Sequence, residues 1–172
     1  MPSRPLIHAG FLMLALTLLA LSGVAPARAA DDDAVRTALA QLRDADFDGK
    51  AELVESLITS NHPRLVPILK ALYDSRLYYQ EEGNRAVIGL NDAAEIAIED
   101  AVTGETLGQI SKRSLDRITA NNRLRSLIEN RLASLGLASA DPQQRTAAVE
   151  AFMRNPDPAG AAPLRARLEV ET

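Results

Sequence analysis

The apolar positions first fall at helical spacing. Val35, Leu39 and Leu42 recur at i, i+4 and i+7; Leu53, Val54, Leu57 and Ile58 make a second stripe, and Leu65, Ile68, Leu69 and Leu72 a third. Asn61-His62-Pro63 divides the second stripe from the third, with Pro63 suited to the first turn of the next helix. Past Tyr73 the spacing changes. Tyr78-Tyr79, Arg85 to Leu90, Ala94 to Ile98 and Thr106 to Ile110 carry β-branched or alternating apolar residues, interrupted at Gly83-Asn84, Asn91-Asp92 and Thr103-Gly104-Glu105. This predicts a small antiparallel β meander over about 77–110. Helical spacing returns with Leu115 and Ile118, pauses at Asn121-Asn122, and resumes with Leu124, Leu127, Ile128, Leu132 and Leu135 before Gly136 stops it. The expected helices therefore occupy about 33–75 and 112–170.

These segments repeat. Lys50 to Pro63 laid over Arg145 to Pro158 aligns Val54 with Val149, Glu55 with Glu150, Leu57 with Phe152, Ile58 with Met153 and Pro63 with Pro158. After a one-residue shift, Pro67 meets Pro163, Ile68 meets Leu164 and Leu72 meets Leu168. A recurring helix pair with a proline-marked turn is the signature of HEAT-type repeats, in which one pair cannot bury its apolar face alone. The expected fold is mainly α: a HEAT-type α-solenoid of helix pairs with a small antiparallel β meander inserted. The chain stops at Glu169-Val170-Glu171-Thr172 without a polar capping helix, which leads to the expectation of a domain cut from something longer.

Residues 1–29 read as a signal peptide. Arg4 supplies a positive n-region, Phe11 to Leu21 an apolar stretch too short to span a bilayer, and Ala27-Arg28-Ala29 the small-x-small cleavage pattern. Cleavage there leaves a domain at 30–172, exported and placed on the periplasmic side of the inner membrane.

Composition narrows the chemistry. The 172 residues are 47% hydrophobic, 3% aromatic and 24% charged, with a formal charge of −4 and no cysteine. Disulfides, thiolate nucleophiles and Cys-based metal sites are thereby excluded, and the absence of a clustered basic excess argues against nucleic acid. Beyond the signal peptide the single histidine is His62, read as a surface residue in a turn, so no nucleophile–base pair can be named and an enzyme is not expected. No cofactor or metal is implied.

One motif resists that simplicity. Asp44-x-Asp46-x-Asp48-Gly49-x5-Glu55 fits the calcium loop of an EF-hand at each fixed position. The repeat argues the other way. It sets Asp141 opposite Asp46, and Asp141-Pro142-Gln143-Gln144 reads as an N-cap, a first-turn Pro and a capping-box Gln. If Asp46 is likewise an N-cap, residues 47–52 are helix and cannot wrap a cation. Tyr78 and Tyr79 read either as a docking patch or as one core and one rim residue of the meander. Asn122 reads as the N-cap of the next helix. Arg123 and Arg125 in its first turn oppose the helix dipole, so acids should offset them: Glu99, Asp100 and Glu105 on the meander, or a partner.

The runs DFDGKAELVESL from Asp46, RLVPILKALYDSRLYY from Arg64, EDAVTGETLGQI from Glu99 and ITANNRLRSLIENRLASLGLASADPQQRTAAVEAF from Ile118 to Phe152 resemble the N-terminal exported region of the urea ABC transporter permease subunit, a member of the branched-chain amino acid permease class. The resemblance covers residues 34–172. Its most specific pieces are Thr103-Gly104-Glu105-x-Leu107-Gly108 and Asn121-Asn122-Arg123-Leu124-Arg125. The family's transmembrane bundle, which lies downstream, is not among these residues. The resemblance implies an extracytoplasmic accessory domain that supports urea uptake without conducting it. Its implied partners are other subunits of a urea ABC transporter, including the solute-binding protein, and it meets the membrane only through the downstream permease domain. Asn121, Asn122, Arg123, Arg125, Tyr78 and Tyr79 are the candidate docking residues. Two alternatives stand beside it: a free-standing periplasmic HEAT-repeat scaffold, and a calcium-responsive module using residues 44–55.

Overall fold

The computed structural model describes residues 25–154, 156 and 160–171. Most of the expected signal peptide, residues 1–24, lies outside the described residues, while Ala25–Ala29 open the first helix. Three helices come first: α1 (Ala25–Asp44), α2 (Phe47–Thr59) and α3 (Leu65–Tyr73). Then follow β1 (Leu77–Gln80), β2 (Arg85–Gly89), β3 (Glu95–Asp100), β4 (Thr106–Ser111), a 3-10 turn at Lys112–Ser114 and β5 (Asp116–Arg117). Helices α4 (Asn122–Leu137), α5 (Pro142–Arg154) and α6 (Ala161–Glu171) complete the described chain.

The HEAT-type α-solenoid expected from the repeat is not what forms. A five-stranded antiparallel sheet in the order β4-β3-β2-β1-β5 stands between the helix pairs and shares their core, so the domain is mixed α/β. The helix expected from 112 begins only at Asn122. Leu115 and Ile118 are three apart, as on a helix, but they flank β5, whose Asp116 and Arg117 are exposed and pair with Tyr79 and Tyr78. Ile118 N then donates to Leu77 O at 3.0 Å. Two apolar residues three apart fit one helical turn and a strand with its flank equally well, and tertiary pairing decides.

β4 and β5 occupy opposite edges of this sheet, yet only the 3-10 turn and Leu115 join them. Four strand spacings of about 4.8 Å would set flat edges about 19 Å apart. Three residues rising about 2 Å each in a 3-10 turn, with two extended steps, reach roughly 13 Å. The sheet must therefore curl until its edges approach. A register shift at Ile98/Glu99 and Gly108, held at φ 92°, put the bend into the β3–β4 pair. The concave face encloses a small core of Tyr78, Val87, Ile96, Ile98 and Leu115.

The other face carries the main core. Leu77, Tyr79, Ala86 and Ile88 meet Val35, Leu39 and Leu42 of α1, Val54 and Leu57 of α2, Ile68, Leu69 and Leu72 of α3, and Leu124 and Ile128 of α4. At about 1.5–3 kcal/mol for each fully buried aliphatic side chain, this cluster is the main source of stability. Two charged struts fasten sheet to helices: Arg36 of α1 binds Asp100 at 3.0 Å, and Arg64, just before α3, binds Glu99. Two of the acids expected to face Arg123 and Arg125 are thus engaged by other arginines. A third cluster of Ala133, Leu137, Ala148 and Phe152 hangs α5 and α6 on α4, with Gly136 allowing close approach to Ala148.

The repeated segments do form α2 and α5, each 13 residues long and in the aligned frame. Their surroundings differ. Val54 is 0% exposed and its counterpart Val149 is 39% exposed.

Candidate functional site

Two helix starts lie side by side. Asp46, extended at ψ 178°, caps α2 by accepting from Gly49 N at 2.8 Å, and Asn121, at ψ 173°, caps α4 by accepting from Leu124 N at 2.8 Å. The cap of α4 is therefore Asn121 and not Asn122 as expected; Asn122 is the first helical residue and exposed. Lys50 locks the two starts together. Its ammonium group, buried, donates to Thr119 O at 3.1 Å just ahead of α4.

Between them opens a cleft of about 520 Å³ lined by Phe47, Asp48, Glu52, Asn121, Arg123 and Leu127. Phe47 is 51% exposed, which is unusual for the largest apolar side chain on a helix, and Lys50 Nζ stands 5.7 Å from its ring centre. Arg123 meets Asp48 at 3.6 Å, with both side chains almost fully exposed, so this ion pair contributes little to stability. Both helix dipoles present their positive ends here, and Asp48 and Glu52 supply compensating charge. An exposed aromatic amid charges of both signs can hold a peptide segment.

The EF-hand reading fails on this geometry. Asp46 is spent on the cap and residues 47–59 are helix, so 44–55 form no loop. Asp141 does the same for α5, accepting from Gln143 N at 2.9 Å. Among the described residues no cluster of three His, Asp or Glu side chains is placed to hold a metal.

The other candidate residues scatter. Arg125 turns away from the cleft and donates to Ser75 Oγ at 2.7 Å. Tyr78 and Tyr79 are both buried, neither of them at a rim, because adjacent strand residues point to opposite faces and both faces of β1 are covered. Tyr79 donates to Asn84 Oδ1 at 2.6 Å under the guanidinium of Arg43, and Arg117 lies over Tyr78. Neither tyrosine is available for docking.

His62 also departs from expectation. It is buried, Nδ1 accepts from Arg64 N at 3.1 Å, and Nε2 reaches Asp32 Oδ1 at 2.9 Å. A turn histidine before proline gives no sequence sign that a preceding helix will fold over it. Phe47 is not among the expected docking residues; its position directly after the capping Asp46 is the one sequence signal for its exposure.

A larger cavity of about 640 Å³ lies among α3, α4 and α5, lined by aliphatic residues such as Val66, Leu132 and Leu135 together with the charged Lys70, Glu129 and Arg154, and holds none of the candidate docking residues. No described helix is long and apolar enough to cross a membrane. The chain matches no protein-family model, no curated protein and no solved structure.

Proposed function

We propose that this chain is an extracytoplasmic accessory domain of a urea ABC permease, docking another transporter subunit through the cleft between α2 and α4 and conducting nothing itself. The resemblance of Asn121-Asn122-Arg123-Leu124-Arg125 to the exported region of that permease points to the family. The observation that carries the docking role is that Phe47 and Arg123, 51% and 87% exposed, frame one cleft while the core makes no use of either. Gly104 and Gly108, the glycines of the other specific motif, sit at φ 77° and 92°, so that motif serves the backbone of the meander.

The test is uptake of labelled urea by the source organism carrying the paired substitution Phe47→Asp and Arg123→Glu, with the level of the protein followed by immunoblot. Uptake should fall several-fold at an unchanged protein level. Parental uptake in this strain, or in one deleted for the gene, overturns the proposal.

A further inference from the structure

In the alignment of α2 with α5, Ala51, Val54, Glu55 and Ile58 correspond to Thr146, Val149, Glu150 and Met153. On α2 this strip is covered. Val54 is fully buried, Ala51 and Ile58 pack against the main core, and α4 brings Leu124 and Ile128 into that core beside it. Arg131 of α4 completes the cover, donating to Glu55 Oε1 from Nε at 3.1 Å and from Nη2 at 2.7 Å. On α5 the corresponding strip is open. Thr146 and Glu150 are exposed, Val149 is 39% and Met153 76% exposed, and Glu150 has no hydrogen bond or ion pair among the described residues.

We infer that the α5 strip is a docking face for one basic amphipathic helix of a partner protein, seated as α4 is seated on α2, with an arginine on Glu150. The chain's own geometry defines that occupant. Apolar side chains at the spacing of Leu124 and Ile128 would cover Val149 and Met153, and an arginine at the place of Arg131 would make the forked contact that Glu55 receives. A second copy fits poorly. Were another copy to lay its α1 on this strip, Glu150 would meet the side of α1 that exposes Asp33 and Asp44, which is like charge against like. The face is separate from the cleft at Phe47, so the two docking sites stand or fall independently.

The probe is a synthetic helix of the sequence of residues 121–137, hydrocarbon-stapled on the side opposite Leu124 and Ile128 so that it enters already helical. It is titrated into the full chain while the methyl resonances of Val149 and Met153 are followed. Saturable binding with shifts confined to the α5 strip is expected. Glu150→Arg should weaken it about ten-fold or more, and replacing the peptide's Arg131 with Glu should restore it against that variant. Glu150 is exposed and unpaired among the described residues, so the substitution leaves the fold intact. Absence of saturation at about millimolar peptide, shifts mapping elsewhere, indifference to the charge at 150, or a homodimer dissolved by Met153→Asp would each overturn the inference.

Discussion

Arg36 on α1 donates at 3.0 Å to Asp100 at the end of β3, whose carboxylate is 4% exposed. The other oxygen of Asp100 accepts from Val102 N and Thr103 N, both at 2.9 Å, so one side chain ties a helix to the sheet and shapes the β3–β4 turn. Burial pushes this carboxyl up, but the amide of Thr103, Arg36 and the amide of Val102 outweigh it and hold the group below its ordinary range. A depressed carboxylate stabilises the fold above its unfolded pKa of about 3.9, and that contribution is lost as pH falls through the lower folded value. Asp100→Asn keeps an acceptor for the turn and should lose about 1 kcal/mol at neutral pH, whereas Asp100→Ala should lose about 3 kcal/mol. In urea denaturation the stability gap between the wild type and Asp100→Asn should be constant above about pH 5, begin to narrow near about pH 4, and close only below the lowered folded value. A gap that does not narrow as pH falls below about 4 contradicts this account.

Asp46 and Asn121 should each be worth about 0.5–2 kcal/mol by substitution to alanine, and the neighbour Asn122, with no capping bond, should fall within about 0.5 kcal/mol of zero. Thermal melts of Asp46→Ala, Asn121→Ala and Asn122→Ala measure the contrast. Calcium should change none of them. A melting temperature that rises with calcium in the wild type and not in Asp46→Ala would reinstate the cation loop.

His62 Nδ1 accepts the Arg64 amide and so carries no proton, which leaves the proton on Nε2, facing Asp32. Nitrogen-15 spectra of the ring should show that tautomer at neutral pH. His62→Ala should cost about 1–3 kcal/mol by stranding the amide, and should speed protease cleavage near Asp31–Asp33, where α1 loses its hold. Equal populations of the two tautomers would show that this pair does not persist in solution.

Gly104 and Gly108 separate two kinds of cost. Each needs a left-handed backbone, so alanine at either should cost about 1–2 kcal/mol. At Gly104 the added methyl would also lie 3.0 Å from the Arg64 guanidinium, whereas at Gly108 it meets open space. Gly104→Ala should therefore be the more destabilising in chemical denaturation, and coupling with Arg64→Ala in a double-mutant cycle should be seen for Gly104 and not for Gly108.

Much of this architecture is written in local spacing. Val35, Leu39 and Leu42 announce α1, Leu65 to Leu72 announce α3, and Asp46 and Asp141 announce the helix starts, because each signal lies within a turn or two of what it specifies. Long-range choices are another matter. The pairing of Asp116-Arg117 with Tyr78-Tyr79 depends on how far the sheet curls, and the partners of Glu99 and Asp100 depend on where α1 and α3 come to rest. A repeat detected in α2 and α5 could not tell that a sheet would stand between the pairs, since both copies carry the same apolar positions whether or not anything covers them. The cleft at Phe47 was half legible. Its Asn121 and Arg123 wall was singled out by motif, and its aromatic wall, lying far away in the chain, was not.

The bond from Ile118 to Leu77 means that the chain leaves the sheet beside the point where it entered. To the helices, everything from β1 to β5 is a detour that starts and finishes at nearly one place. The turns between its strands, at Glu81–Asn84 and Asn91–Ala94 on opposite ends of the sheet, can therefore lengthen without shifting α3 against α4, for an entropic cost that grows only with the logarithm of the added length. Those two turns are where a fluorescent label or a short peptide tag belongs, and where related chains are free to differ in length while the helices keep their seats.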